Sequence, residues 1–142
     1  MNLRHFLILL ATAAVCAPSF AADPSPKKHR VVFEIVGEGK EHWNSLLNNV
    51  ENAQKALGAG ATEIVVVAHS KGLGLLLKES EVRERVEKIA ATGVVFAACE
   101  NTMKKKGVTK EQLVSAATTV DSGVAEVIRK QEAGWSYVKS GG

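Results

Sequence analysis

Three stretches of the chain, residues 31–36, 64–68 and 94–98, are apolar almost without interruption, Glu34 being the exception. Short continuous runs rich in Val and Ile, rather than alternating ones, predict strands buried on both faces, as in a parallel sheet. Weaker runs at 116–120 and 135–139 predict a fourth strand and a fifth at an edge. Between them the apolar spacing turns helical. Leu46, Val50, Ala53 and Leu57 recur at steps of four, three and four within residues 41–57, and Gly58 and Gly60 end that helix. Residues 69–74 read as a loop and 75–77 as a short helical turn. Ser80 is expected to cap a charged helix over 81–91, with Val82, Val86, Ile89 and Ala90 inward. A short helix is predicted over 100–106, and Thr109-Lys110-Glu111-Gln112 is a capping box opening another. Asp121 or Ser122 is placed to cap a helix over 123–132 with Val124, Val127 and Ile128 as its apolar face. Strands alternating with helices predict an α/β fold, a mainly parallel sheet of about five strands covered on both sides.

The N-terminus follows a different pattern. Arg4 and His5 precede an apolar run over 6–17, followed by the small residues of Pro18-Ser19-Phe20-Ala21-Ala22. This predicts a cleavable signal peptide cut near Ala21, and so a periplasmic or secreted protein. The run is too short to span a bilayer comfortably, and no other stretch is apolar enough, so no membrane contact is expected once the signal is removed. Lipid attachment at Cys16 fits poorly, because Ala13-Ala14-Val15 lacks the large-then-small pattern such signals carry. The expected plan is a signal over 1–21, a flexible leader over 22–30, one domain over 31–139 and a tail over 140–142. Of 142 residues, what remains after cleavage suits a single domain with a modest core, and the formal net charge of +3 is too mild to argue for nucleic acid.

Cleavage changes the cysteine count. Of two cysteines, Cys16 leaves with the signal and Cys99 remains, which excludes an internal disulfide. A lone thiol in an oxidising compartment is reactive, paired between molecules, or buried. Cys99 ends the third strand, at the sheet edge where open α/β folds bind ligands, and a helix is predicted to start at once. Free backbone N–H groups at such a start favour thiolate over thiol. Asn101 and Thr102 begin that turn and are expected to present their N–H groups or side chains to the sulfur. His69 ends the neighbouring strand, where it could share a proton with the thiol or orient a substrate. The bland alternatives are a small buried hydrophobe at Cys99 and, for His69, a loop residue bonded to its own backbone.

Other motifs weigh less. Ala68-His69-Ser70-Lys71-Gly72 resembles a nucleophile elbow, but that fold takes its base from a histidine after the serine, and His5, His29, His42 and His69 all precede Ser70. Gly37-Glu38-Gly39-Lys40 lacks the spacing of a phosphate loop. His42 and His69 have no metal-ligand spacing with Cys99, so neither a metal nor a cofactor is expected. Trp43 reads as an amphipathic anchor. Lys104-Lys105-Lys106 reads as a solvated helix face whose charge would also favour a nearby thiolate.

Four segments resemble the DsrE/DsrF-like family of bacterial sulfur-relay proteins: Val31-Val32-Phe33 with Trp43-Asn44 and Asn48-Asn49; Val67-Ala68-His69 with its glycine loop; Gly93 through Met103; and the helix and strand over 123–138. The Phe96-x-x-Cys99-x-Asn101-Thr102 portion is the most specific. The resemblance implies a three-layer α/β/α sandwich, assembly as a homo-oligomer (trimer or hexamer), and a persulfide carried on Cys99. The implied partners are a sulfur donor or acceptor protein or a small sulfane-sulfur compound. Export departs from the relay members that act in the cytoplasm, and argues against a role in tRNA thiolation. The competing expectation is a non-catalytic oligomeric binding protein with a buried, inert cysteine.

Overall fold

The structure, a computed structural model, describes residues 28–140. The expected signal peptide and most of the leader lie outside that range. Five strands form one parallel sheet: β1 (His29–Ile35), β2 (Thr62–Ala68), β3 (Val95–Cys99), β4 (Ala117–Val120) and β5 (Ser136–Ser140), in the order β4-β3-β2-β1-β5. The helices are α1 (Lys40–Leu57), α2 (Arg83–Ala90), α3 (Glu100–Lys106) and α4 (Gly123–Glu132). No helix among the described residues is long and apolar enough to cross a membrane.

Strand periodicity sorts the core into two unequal layers. Val31, Phe33, Ile35, Ile64, Val66, Ala68, Phe96 and Ala98 point to the face covered by α1, α2 and α3. The alternate residues Val32, Val65, Val67 and Ala97 point to the other face, where Val127 of α4 meets them. The continuous apolar runs are thus strands with both faces covered, forming a three-layer α/β/α sandwich.

Several local expectations change. On α1 the buried residues are Leu46, Leu47 and Val50, whereas Leu57 is exposed, because Gly58 at φ 90° ends the helix as it leaves the sheet. On α4 the sheet is met by Gly123 and Val127, one i, i+4 stripe. Val124 and Ile128 lie about 100° around the helix from that stripe and are 54% and 49% exposed. Ser80 does not cap α2: its carbonyl accepts from Arg83 N at 3.0 Å in a turn, and the helix begins at Arg83. The expected loop and turn after β2 are one 3-10 segment, Ser70–Leu76, and the Thr109–Gln112 capping box closes round a 3-10 turn. Ser122 caps α4 as expected, its hydroxyl accepting from Ala125 N at 3.4 Å.

Two sets of contacts tie α1 to its neighbours. Trp43 Nε1 donates to Gly37 O at 3.1 Å, and its ring lies against Gly74, where an added Cβ would come within 2.9 Å of it. The expected anchoring role of Trp43 is thereby met. Arg85 of α2 donates to Asn44 Oδ1 at 2.8 Å and Asn48 Oδ1 at 2.6 Å, and also to Glu51, clamping α2 to α1.

Candidate functional site

Parallel strands end together, and parity decides which side chains meet there. Val65 and Val67 of β2, and Ala97 of β3, face α4; one more period along each strand brings His69 and Cys99 to the same face. Ala68 pairs with Ala98, so His69 and Cys99 are each the next residue beyond a paired couple. Glu34 of β1 shares the parity of Val32 and faces the same side.

Cys99 is the last residue of β3 and the N-cap of α3, and it is 4% exposed. Burial pushes its thiol up. That effect is outweighed by the polar hydrogens of the Thr102 hydroxyl and of the backbone N–H groups of Gly123, Thr102 and Asn101, which favour the anionic sulfur, and the thiol lies below its ordinary value. Asn101 N–H donates to Asp121 O at 3.3 Å. The Asn101 side chain is exposed; its contribution is backbone. Gly123 opens α4, so the first turns of two helices converge on one sulfur.

Thr102 does two things at once. Its Oγ1 accepts from Ser70 N at 3.1 Å, and its hydroxyl favours the anionic form of Cys99, so the start of the 3-10 segment is linked to the surroundings of the thiol through one side chain.

His69 immediately precedes Ser70, and its ring is bonded to side chains rather than to its own backbone. Nε2 lies 2.8 Å from Glu34 Oε1, and Nδ1 lies 3.1 Å from Ser70 Oγ. Burial raises the Glu34 carboxyl, but hydrogen bonds from Tyr137 and His69 with the charges of His69 and Lys139 bring it below its usual value, so it is ionised at neutral pH. Tyr137, bonded to Glu34 through its hydroxyl, is pushed up to about 12 by that bond, by burial and by the carboxylate charge. In the neutral ring, Nε2–H donates to the ionised Glu34 and Nδ1 is the acceptor facing Ser70. His69 also packs on Gly123: a Cβ at Gly123 would sit 2.9 Å from His69 Cβ.

Ser70, Lys71, Thr102, Lys105 and Lys106 line a surface pocket of about 350 Å³. Lys71 is bonded to Glu38 at 2.7 Å, and the pocket keeps a net positive charge.

The structure therefore brings together Cys99, Thr102 and the Asn101 backbone, with His69 alongside. Sequence reasoning missed Gly123, Glu34, Tyr137 and Ser70. Glu34 carried a signal, as the one charged residue in the apolar run 31–36; Gly123 followed a recognised cap; Tyr137 on an edge strand carried none.

Comparisons with known proteins agree with this architecture. The chain is similar to a structure of a protein of unknown function, MTH1491, from Methanobacterium thermoautotrophicum, at 34% identity and a TM-score of 0.76, covering 79% of this chain and 99% of that one. It shares its fold with the conserved protein of unknown function BT1422 from Bacteroides thetaiotaomicron, at 14% identity and a TM-score of 0.61, covering 78% and 93% of the two chains. It likewise shares it with the ychN protein from E. coli, at 13% identity and a TM-score of 0.57, covering 80% and 99%. No curated protein matches it. The model of the DsrE/DsrF-like family matches residues 30–140, and with the parallel sheet and its helical layers already described, the chain belongs to that family.

Proposed function

We propose that this protein is an exported sulfur carrier that forms a persulfide on Cys99. The observation that carries the reading is the place of Cys99 at the end of β3 and the N-cap of α3, where the Thr102 hydroxyl and the Gly123, Thr102 and Asn101 N–H groups hold its thiol below the ordinary value. A sulfur acceptor needs the thiolate, the form that attacks a sulfane sulfur. In the step, Cys99 thiolate attacks the outer sulfur of a donor persulfide, the donor's S–S bond breaks, and its electron pair leaves on the donor thiolate. Cys99 is left as a persulfide with no net redox change. The same N–H groups then hold the persulfide anion until an acceptor protein or small thiol takes the outer sulfur. Intact mass after incubation with a persulfide donor tests it: the native protein gains one sulfur atom, and Cys99→Ser gains none. A native protein that gains none contradicts the reading.

Burial at 4% favours a second reading, an oligomeric binding protein whose cysteine is inert. The two separate on thiol reagents at neutral pH. A carrier reacts while folded; an inert cysteine reacts only after unfolding.

Assembly as a trimer or hexamer belongs to the same proposal. It is supported by the apolar surface left on the α4 side, where Val95 is 43%, Val124 54% and Ile128 49% exposed. Light scattering at micromolar concentration that finds only monomer would exclude it. For export, N-terminal sequencing of the mature protein should begin at Ala22 or Asp23; a chain starting at Met1 contradicts it.

A further inference from the structure

The nucleophile elbow fails on chain order only if its base must follow the serine. Here the base precedes it by one residue. Glu34 Oε1, His69 Nε2, His69 Nδ1 and Ser70 Oγ form one hydrogen-bonded line, with contacts of 2.8 Å and 3.1 Å. With the ring neutral and Nε2–H donating to the carboxylate, Nδ1 accepts from the Ser70 hydroxyl, the arrangement that activates a serine. Tyr137 holds the carboxylate from the other side.

Two further features belong to Ser70. It is the one non-glycine residue with positive φ among the described residues, at 54° on the step from β2 into the 3-10 segment. A non-glycine side chain is uncommon there, and such strain clusters at functional positions. The conformation is held by the Ser70 N–H bond to Thr102. Ser70 is also exposed and lines the pocket that carries Lys71, Lys105 and Lys106. Cys99 is buried and does not line it.

We propose that Glu34, His69 and Ser70 form a second nucleophilic site, in which Ser70 accepts acyl groups from activated esters bearing a carboxylate. The carboxylate lies among the pocket lysines. Ser70 Oγ attacks the ester carbonyl and its proton passes to His69 Nδ1. The ester C–O bond breaks, and the leaving oxygen departs with its electron pair and takes the proton back from His69 Nδ1, so that the free alcohol or phenol is released and Nδ1 is a base once more. Water attacks the acyl-serine with His69 Nδ1 again as base, releasing the acid and restoring Ser70. No oxidant or reductant takes part, and the site does not depend on sulfur chemistry at Cys99.

The test uses the full-length protein with the mono-4-nitrophenyl ester of adipic acid and, as a neutral comparison, 4-nitrophenyl hexanoate. Peptide mapping of quenched samples should place the adipoyl group on Ser70 in the native protein and in Cys99→Ser. Ser70→Gly, which suits the positive φ and should keep the fold by circular dichroism, should carry none. His69→Ala should slow acylation by about 100-fold or more, the scale of a lost general base, and Glu34→Gln by less. The anionic ester should react about fivefold faster than the neutral one. An acyl group that persists in Ser70→Gly but disappears in Cys99→Ser would assign it to the thiol and overturn the proposal. So would a folded native protein with no acyl group on Ser70, or a His69→Ala variant acylated as fast as the native.

Discussion

Ser70 and Cys99 share one neighbouring hydroxyl: Ser70 N–H donates to Thr102 Oγ1 at 3.1 Å, and the same hydroxyl helps to draw the Cys99 thiol below its ordinary value. Accepting from Ser70 leaves the Thr102 proton free to point at Cys99, and it polarises that donor. The edge of β2 thus bears on the ionisation of a residue at the end of β3.

Thr102→Val removes the hydroxyl and keeps the shape. The midpoint of Cys99 alkylation against pH should rise by about one unit, the scale of one hydrogen bond to a charged group. Thr102→Ser should stay close to the native value. Equal midpoints in native and Thr102→Val would remove Thr102 from the account.

Gly123→Ala should act in two ways. Its Cβ meets His69 Cβ at 2.9 Å, a contact neither backbone relieves cheaply, so stability should fall by about 1–3 kcal/mol in urea titration. Displacing the Gly123 N–H should also raise the alkylation midpoint. Because alanine at 69 keeps the clashing Cβ, His69→Ala should not rescue stability, whereas His69→Gly should, giving a favourable coupling in the double-mutant cycle. Strict additivity of Gly123→Ala and His69→Gly would refute the contact.

His69→Ala alone should leave the Cys99 midpoint nearly unchanged, since the groups acting on the sulfur are Thr102, Gly123 and Asn101, and His69 is committed to Glu34 and Ser70. A rise of about one unit would instead make His69 a charge partner of the thiolate.

The lowered Cys99 value also makes stability depend on pH. A group whose anionic form is favoured by folding stabilises the fold fully above its unfolded value, and that contribution disappears as pH falls through the folded value. Native protein should therefore gain stability relative to Cys99→Ser as pH rises towards the ordinary thiol value, then hold that gain. A stability difference flat across that window, by denaturant titration, would count against a stabilised thiolate.

How far the site could be read in the sequence follows from the range of each interaction. Cys99, Asn101 and Thr102 are neighbours in the chain, and a strand running straight into a helix places them at one N-terminus without any tertiary knowledge. His69 required only that parallel strands end together. Gly123 required the register: β4 pairs Cys99 with Val120, and only that pairing brings the start of α4 over the sulfur. The bond from Glu34 to His69 spans β1 and β2 with an offset that apolar patterning does not encode. On α4, three apolar residues suggested one face, but Gly123 occupies the sheet side at close approach, which turns Val124 and Ile128 outward.

The most direct measurement is the rate of iodoacetamide alkylation of Cys99 in the native protein as a function of pH, with the unfolded protein as reference. The account predicts a native midpoint clearly below ~8.5, the value of an ordinary thiol, and measurable reaction of the folded protein at neutral pH. A native midpoint at or above the unfolded one, with reaction only after denaturation, would show that burial prevails over Thr102 and the converging N–H groups, and would contradict it.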